Sequence, residues 1–351
     1  MKYLIYCGPG IGDFILILPM VKSIRDYDPN AYIKIITTSN KNRIKNNLIL
    51  FKLQRLINDY DYYSSHELSH TIVFIMKNGI KKFDYGFVLQ YTDNDSTSIY
   101  PSIFINLSSR TTCGIRITSN KNIKYNKYID REKGKRIVDY PMSMLEAFGI
   151  PKSKDINNIL DINRINSYQF NIPYNHTKKT IALCIGTASV SMKINGELII
   201  NDAKNWDYIN WLHLAFKLSK DYNVFLLGGK KEAKELENIK DFQFLPSQIF
   251  NFIGKTSLGE SLYILQQSNL IVGADTGLMH CAGALGKTNL TLFGCTDYRE
   301  YLPMGSQSQY ITANEPCSPC FGTKMSVLCK HKNCMKHLTV DMVYNRIIHI
   351  L

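Results

Sequence analysis

The sequence predicts an α/β protein of two domains, each built on a parallel sheet, and three observations carry that prediction. The chain has 351 residues, longer than a single hydrophobic core usually grows. Short apolar runs alternate with amphipathic segments along its length, the pattern of strands connected by helices. That alternation lapses over 155–179, an Asn-rich stretch without a period, and then begins again. The expected domains are 1–165 and 176–351, joined by a linker.

The first domain opens on an apolar strand, Lys2 to Tyr6, which runs into Cys7-Gly8-Pro9-Gly10-Ile11-Gly12. Phe14, Ile17, Leu18 and Val21 then share one helical face, so the order is strand, tight loop, helix. Further strands are expected at 31–37, 83–89 and 103–107. In the second domain, strands are expected at 180–185, 223–227, 269–272 and 289–293. Helices are expected at 206–218, 232–239, 261–267 and 278–285, with a terminal helix over 340–351.

Composition narrows the function classes. Apolar residues at 45% and charged residues at 20% describe an ordinary globular chain. No apolar run approaches the roughly 20 residues that cross a bilayer. Asp13 interrupts the N-terminal apolar stretch and no small-residue cleavage site follows, so a signal peptide is not expected and the cytoplasm is. The formal charge is +13, and residues 1–150 hold 21 Lys and Arg against 13 Asp and Glu, which is +8 of it. A basic face of that kind suits an anionic headgroup or a phosphorylated glycan, or else is a general solubility charge. No RNA-stacking signature accompanies it, so nucleic acid is not an expected partner.

The strongest local signal is Leu270-Ile271-Val272-Gly273-Ala274-Asp275-Thr276-Gly277-Leu278-Met279-His280, a buried strand running into a helix. Ligands of parallel sheets bind beyond the carboxyl ends of strands. Thr276 is placed to cap the helix with its hydroxyl, and Gly277 lets backbone amides approach a ligand. Such a helix start attracts phosphate oxygens. His280, in the first turn, is expected to donate a hydrogen bond as neutral imidazole. The small-residue loop Gly186-Thr187-Ala188-Ser189 follows another strand and is placed to hold the same diphosphate. Lys204, before Trp206, is placed to neutralise charge on a departing nucleotide. Glu232, just after Gly228-Gly229, stands where an acid grips ribose hydroxyls in doubly wound folds. Each also has a plain structural reading: a capped core helix, a surface lysine, an exposed helical glutamate.

The first loop lacks the Gly-x-Gly-x-x-Gly spacing, and Asp13 sits where phosphate would lie. It therefore argues against phosphate binding in that half. A carboxylate on a glycine turn at a strand end is a candidate to take a proton from a hydroxyl, or is an acid that only stabilises its helix.

Gly12-Asp13 with Pro19, Lys204-x-Trp206, Gly254-Lys255-Thr256-Ser257-Leu258, Asp275 through His280, and Phe293-Gly294-x-Thr296-Asp297 together resemble glycosyltransferase family 9, the lipopolysaccharide heptosyltransferases. The resemblance spans nearly the whole chain and is most specific from Asn251 to Asp297. It implies a GT-B fold of two facing Rossmann-like domains, the first binding acceptor and the second nucleotide sugar. It also implies an ADP-heptose or related donor and inverting chemistry that requires no cofactor. Asp13 would be the base, beside Gly12. Thr276, Gly277 and Leu278, with Lys204, would hold the diphosphate, and Asp275 and His280 would line the donor pocket. The acceptor would be an anionic glycolipid, a lipopolysaccharide core or a protein, reached in the cytoplasm or at the inner-membrane surface. Rival readings are a GT-B sugar-nucleotide epimerase and a non-catalytic scaffold.

The chain departs from the family in places. Seventeen residues separate Gly186 from Lys204, where the family has a handful, so either Lys193 is the phosphate ligand or the loop carries an insertion. Asp207 replaces a usual proline, and Thr288 another. Acceptor loops such as 91–100 carry no readable code. Of nine cysteines, five are scattered among apolar neighbours and read as buried small residues. Cys317, Cys320, Cys329 and Cys334 crowd into eighteen positions, the first pair at metal-knuckle spacing. They are expected either to hold a structural Zn or Fe or to pack a loop as four thiols.

Overall fold

The computed structural model describes residues 1–38, 47–50, 55–63, 76–77, 79–90, 99–117, 123–154, 156, 159–168, 171–172, 174–195 and 197–351. The chain divides into two units, Met1–Leu160 and Asp161–Leu351.

In the first unit the described elements are β1 (Lys2–Cys7), α1 (Ile11–Tyr27), β2 (Tyr32–Thr38), β3 (Asp59–Tyr63), β4 (Phe83–Val88), α2 (Ile99–Ser108), β5 (Ser109–Arg116), β6 (Lys127–Asp130) and α3 (Asp139–Glu146). The strands form one parallel sheet in the order β3-β2-β1-β4-β5-β6. β1 is buried from Tyr3 to Cys7, as expected of a central strand covered on both faces. The segment 103–107, expected as a strand, is instead the second half of α2. Ile103 and Leu107 are exposed while Phe104 and Ile105 are buried, which is the i, i+4 face of a helix and not an alternation. Ile105 packs against Gly86 of β4. The strand comes directly afterwards, as Ser109–Arg116.

The second unit begins with α4 (Ile162–Ile165) and a short 3-10 turn, Asn166–Tyr168. These residues lie in the stretch expected as linker, yet the Tyr168 ring fills the space over Gly259, where a Cβ would meet it at 2.4 Å. Then follow β7 (Thr180–Cys184), β8 (Val190–Ile194), β9 (Glu197–Asn201), α5 (Tyr208–Leu218), β10 (Asn223–Leu227), α6 (Lys230–Glu237) and β11 (Ile249–Asn251). The unit is completed by α7 (Leu258–Gln267), β12 (Leu270–Ala274), α8 (Gly277–Ala284), β13 (Asn289–Phe293), α9 (Tyr298–Tyr301), β14 (Ser308–Thr312), α10 (Lys324–Leu328), α11 (Asn333–Lys336) and α12 (Val340–Ile350). Its main sheet is parallel in the order β11-β10-β7-β12-β13-β14, so both units repeat one doubly wound strand order. β7, β10, β12 and β13 are buried throughout.

The seventeen residues between Gly186 and Lys204 contain the antiparallel pair β8–β9. Its base is closed by the Ser189 hydroxyl on the Asp202 carboxylate. The pair packs on α10, where the Asn201 side-chain amide donates to the Val327 and Cys329 carbonyls at 3.1 and 2.8 Å. Val190, Ala203, Cys295 and Val327 form a small core of their own between these parts. Among the described residues no helix is long and apolar enough to cross a membrane.

Candidate functional site

The site of the second unit lies where the strand order reverses. From β7 the chain continues to β10 on one side, and β12 pairs with β7 on the other. The loops leaving the carboxyl ends of β7 and β12 therefore part from each other, the place at which open parallel sheets of this order bind ligands.

Asp275 follows β12 directly and is 6% exposed. Lys204 Nζ donates to its Oδ2 at 2.9 Å, and His280 Nε2 stands 3.8 Å from Oδ1. Burial alone would push the Asp275 carboxyl up. Lys204, through its charge and its hydrogen bond and with His280 beside the carboxylate, prevails and holds it below the usual carboxylate value. Lys204 owes its position to Trp206, two residues on. That indole is fully buried, meets Trp211 edge-on at 4.8 Å, and donates to the Leu338 carbonyl at 2.8 Å. Asp207, the residue that departs from proline, caps α5 by accepting from Ile209.

The helix start at α8 differs in one respect from expectation. Thr276 makes no side-chain cap; its backbone carbonyl accepts from Met279 at 3.1 Å and His280 at 3.4 Å. The helix is therefore secured through that carbonyl, and the hydroxyl takes no part. Thr276, Gly277 and Leu278 are partly exposed, and the Gly277 and Leu278 amides belong to the first turn, which has no intrahelical acceptor.

Across the β7 loop, Gly186 sits at φ +95°, a left-handed conformation that favours glycine. A Cβ there would lie 2.3 Å from Glu232 Cγ, so the Glu232 side chain crosses beneath the loop. Thr187 beside it is buried, and its Oγ1 has no hydrogen-bond partner among the described residues. Glu232 is 8% exposed, and its Oε2 accepts the Gly229 N–H at 2.8 Å. Asp13 repeats this arrangement in the first unit: its Oδ2 accepts the Gly10 N–H at 2.8 Å, three residues back. A Cβ on Gly8 would meet the same oxygen at 2.5 Å. Gly12 lies in the first turn of α1 and is partly exposed.

The structure thus brings Lys204, Asp275 and His280 together, and places Thr187 on the loop after β7 and Glu232 in the first turn of α6, under Gly186. Thr296, quoted in the sequence only within the motif 293–297 and given no site role there, is buried close to Asp275. Lys193 lies on β8, and its side chain is outside the described residues, as are residues 91–98 of the segment expected as an acceptor loop.

Cys317 is exposed, Cys320 and Cys329 are partly buried and Cys334 is buried. Burial pushes the Cys334 thiol up to about 11, with the other three thiols adding to the shift. Cys320 is raised by burial and by Cys317 and Cys329. Among the described residues no three His, Cys, Asp or Glu side chains are grouped to hold a metal ion.

Fold and site together define an α/β, GT-B protein with two parallel-sheet domains. Residues 79–331 match the sequence profile of glycosyltransferase family 9 (heptosyltransferase), and the chain belongs to that family. It is 31% identical over 114 residues to lipooligosaccharide heptosyltransferase 2 of Haemophilus influenzae, covering 31% of this chain and 32% of that protein. The chain spans half or less of the length of the curated relatives it matches. Among solved structures, it is similar to a family 9 glycosyl transferase of Veillonella parvula, with a TM-score of 0.75 at 15% identity over 99% of this chain and 96% of that one. It is also similar to the E. coli heptosyltransferase WaaC solved with ADP-2-deoxy-2-fluoro heptose, at a TM-score of 0.69 and 16% identity over the whole of both chains.

Proposed function

We propose that the protein is an inverting glycosyltransferase that moves heptose, or a related sugar, from ADP-heptose or a similar nucleotide sugar to a hydroxyl of a glycan, lipopolysaccharide core or protein. The observation that carries this reading is the Lys204–Asp275–His280 cluster at the open start of α8, in a chain of family 9. The ADP-sugar found in the E. coli neighbour supports the choice of donor.

In this reading the Gly277 and Leu278 amides and Lys204 bind the diphosphate, with Thr187 opposite. Asp275 orients Lys204, His280 lines the donor pocket and Glu232 holds ribose. The acceptor oxygen attacks the anomeric carbon while the bond to the diphosphate breaks. The electron pair leaves on phosphate, where Lys204 and the amides stabilise it. Asp13 takes the acceptor's proton. An aspartate already engaged by the Gly10 amide is a weak base, which suffices when the proton leaves late, after the sugar has become cationic. No step requires a cofactor. The enzyme works in the cytoplasm or at the inner-membrane face, where its basic charge meets an anionic acceptor.

A structural Zn or Fe at Cys317, Cys320, Cys329 and Cys334 is a separate proposal, supported by the Cys-x-x-Cys spacing and the mutual effect of the thiols. Elemental analysis of the purified protein decides it: less than about 0.1 equivalent of either metal counts against it.

Incubation with ADP-heptose, with and without acceptor, tests the main reading. ADP release that depends on acceptor, and falls about 10²- to 10⁴-fold in Asp13→Asn, is the expected result. Asparagine can still accept the Gly10 N–H, so the fold is retained. Donor converted without acceptor would favour the epimerase, and full biological activity of Asp13→Asn would favour a scaffold.

A further inference from the structure

We propose that Phe321, carried by the cysteine-rich segment, is a positioning residue that holds the Lys204 ammonium ready for the donor's diphosphate. This rests on the donor-site reading above and extends it to a part of the chain which that reading leaves unused.

The Phe321 ring centroid is 5.0 Å from Lys204 Nζ, within the roughly 6 Å range over which a ring face attracts a cation. The same Nζ donates to Asp275 at 2.9 Å. Other contacts fix the ring. The backbone N–H groups of Cys320 and Phe321 both donate to the Cys295 carbonyl, at 2.9 and 2.8 Å. Tyr301 meets the ring edge-on at 5.7 Å. The ring also packs on the small core of Val190, Ala203, Cys295 and Val327, and Ala203 immediately precedes Lys204. The ring and the lysine stem are thus seated on one cluster.

The choice of an aromatic partner has a chemical reason. An ammonium has three donors, and Asp275 takes one. A second carboxylate would take another and reverse the local charge just where a diphosphate must bind. A ring face attracts the cation through its quadrupole while carrying no net charge, so it fixes the flexible stem and leaves donors for phosphate. The Lys204 side chain is only 15% exposed, so water screens this attraction weakly.

The test is calorimetric titration of the full chain with ADP and, separately, with adenosine, for wild type, Lys204→Ala, Phe321→Leu and Phe321→Tyr. Phe321→Leu should weaken ADP about tenfold, equivalent to ~1.4 kcal/mol. Phe321→Tyr should return ADP to within about twofold of wild type, because the ring face is kept. Adenosine, which has no phosphate, should bind wild type and Phe321→Leu alike. If Lys204→Ala weakens ADP and Phe321→Leu does not, the role of the ring is overturned and the donor site stands. Equal losses of ADP and adenosine in Phe321→Leu, or failure of tyrosine to restore ADP, overturn it too, because the ring would then act by packing alone. If wild type does not bind ADP, or Lys204→Ala binds it unchanged, the donor-site reading fails and this inference with it.

Discussion

Asp275→Asn removes one charge from the site while keeping the shape of the side chain and an oxygen that can accept from Lys204. Its effect can be worked from the pair it breaks. The carboxylate is 6% exposed and the lysine side chain 15%, with 2.9 Å between Nζ and Oδ2. Removing one partner of a buried pair costs about 3–5 kcal/mol, because the remaining charge is left uncompensated. Here the acceptor is retained and the lysine can reach some water, which places the loss near ~3 kcal/mol. The chain's two tryptophans, Trp206 and Trp211, are both buried in the second unit, so their fluorescence during urea unfolding reports that unit. With a slope of about 2–3 kcal/mol/M the midpoint should fall by roughly 1–1.5 M. The pH dependence has a definite sign. The Asp275 carboxyl is held below its usual 3.8, so its contribution is fully present above the unfolded value and is lost as pH falls through the folded one. Wild type and Asp275→Asn should differ by a constant amount down to about pH 5 and converge below 3.8. Lys204→Met should also destabilise, and the double variant should cost about 2 kcal/mol less than the sum of the singles. A loss under about 1 kcal/mol, additive singles, or a gap that persists in acid would refute the reasoning.

Two further outcomes follow from the loops and the thiols. Gly186→Ala places a side chain at φ +95° and 2.3 Å from Glu232 Cγ. It should destabilise by about 2–3 kcal/mol and lower the melting temperature by several degrees in a calorimetric scan; a change under about 1 °C would contradict the placement of Glu232. At pH 8, iodoacetamide followed by mass spectrometry should label exposed Cys317 first. Cys334, pushed up to about 11, and Cys295, pushed up to about 12, both by burial, should be labelled well after it. Early labelling of Cys295 would mean that the segment around Phe321 is open.

The parallel cores were legible because their strands are short apolar runs, as in Leu270–Ala274. The cluster at Asp275 was legible because strand, acid, cap and helix are consecutive in the chain. The misreading at 103–107 came from a run of Ile, Phe and Leu too short for its period to separate strand from helix. The β8–β9 pair was read only as an insertion, although Asn195-Gly196 between alternating residues is a strong hairpin signal, and Asn195 does take a positive φ of 51°. The Thr276 capping bond failed because a residue type supplies the possibility of a cap and its rotamer decides. Phe321 was not readable at all: its approach to Lys204 joins positions 117 residues apart, and no local pattern encodes it.

The small core shared by β8, β9 and α10 also orders events during synthesis. Asn201 waits for Val327, a partner 126 residues further along. Chains fold broadly from the N-terminal end as they emerge from the ribosome. The hairpin is therefore made early with one apolar face uncovered, and the lysine beside it receives its final seat only when nearly the whole polypeptide has been released. A nascent chain interrupted before residue 321 would already hold the Asp275 strand and helix, but its cation would still be loose.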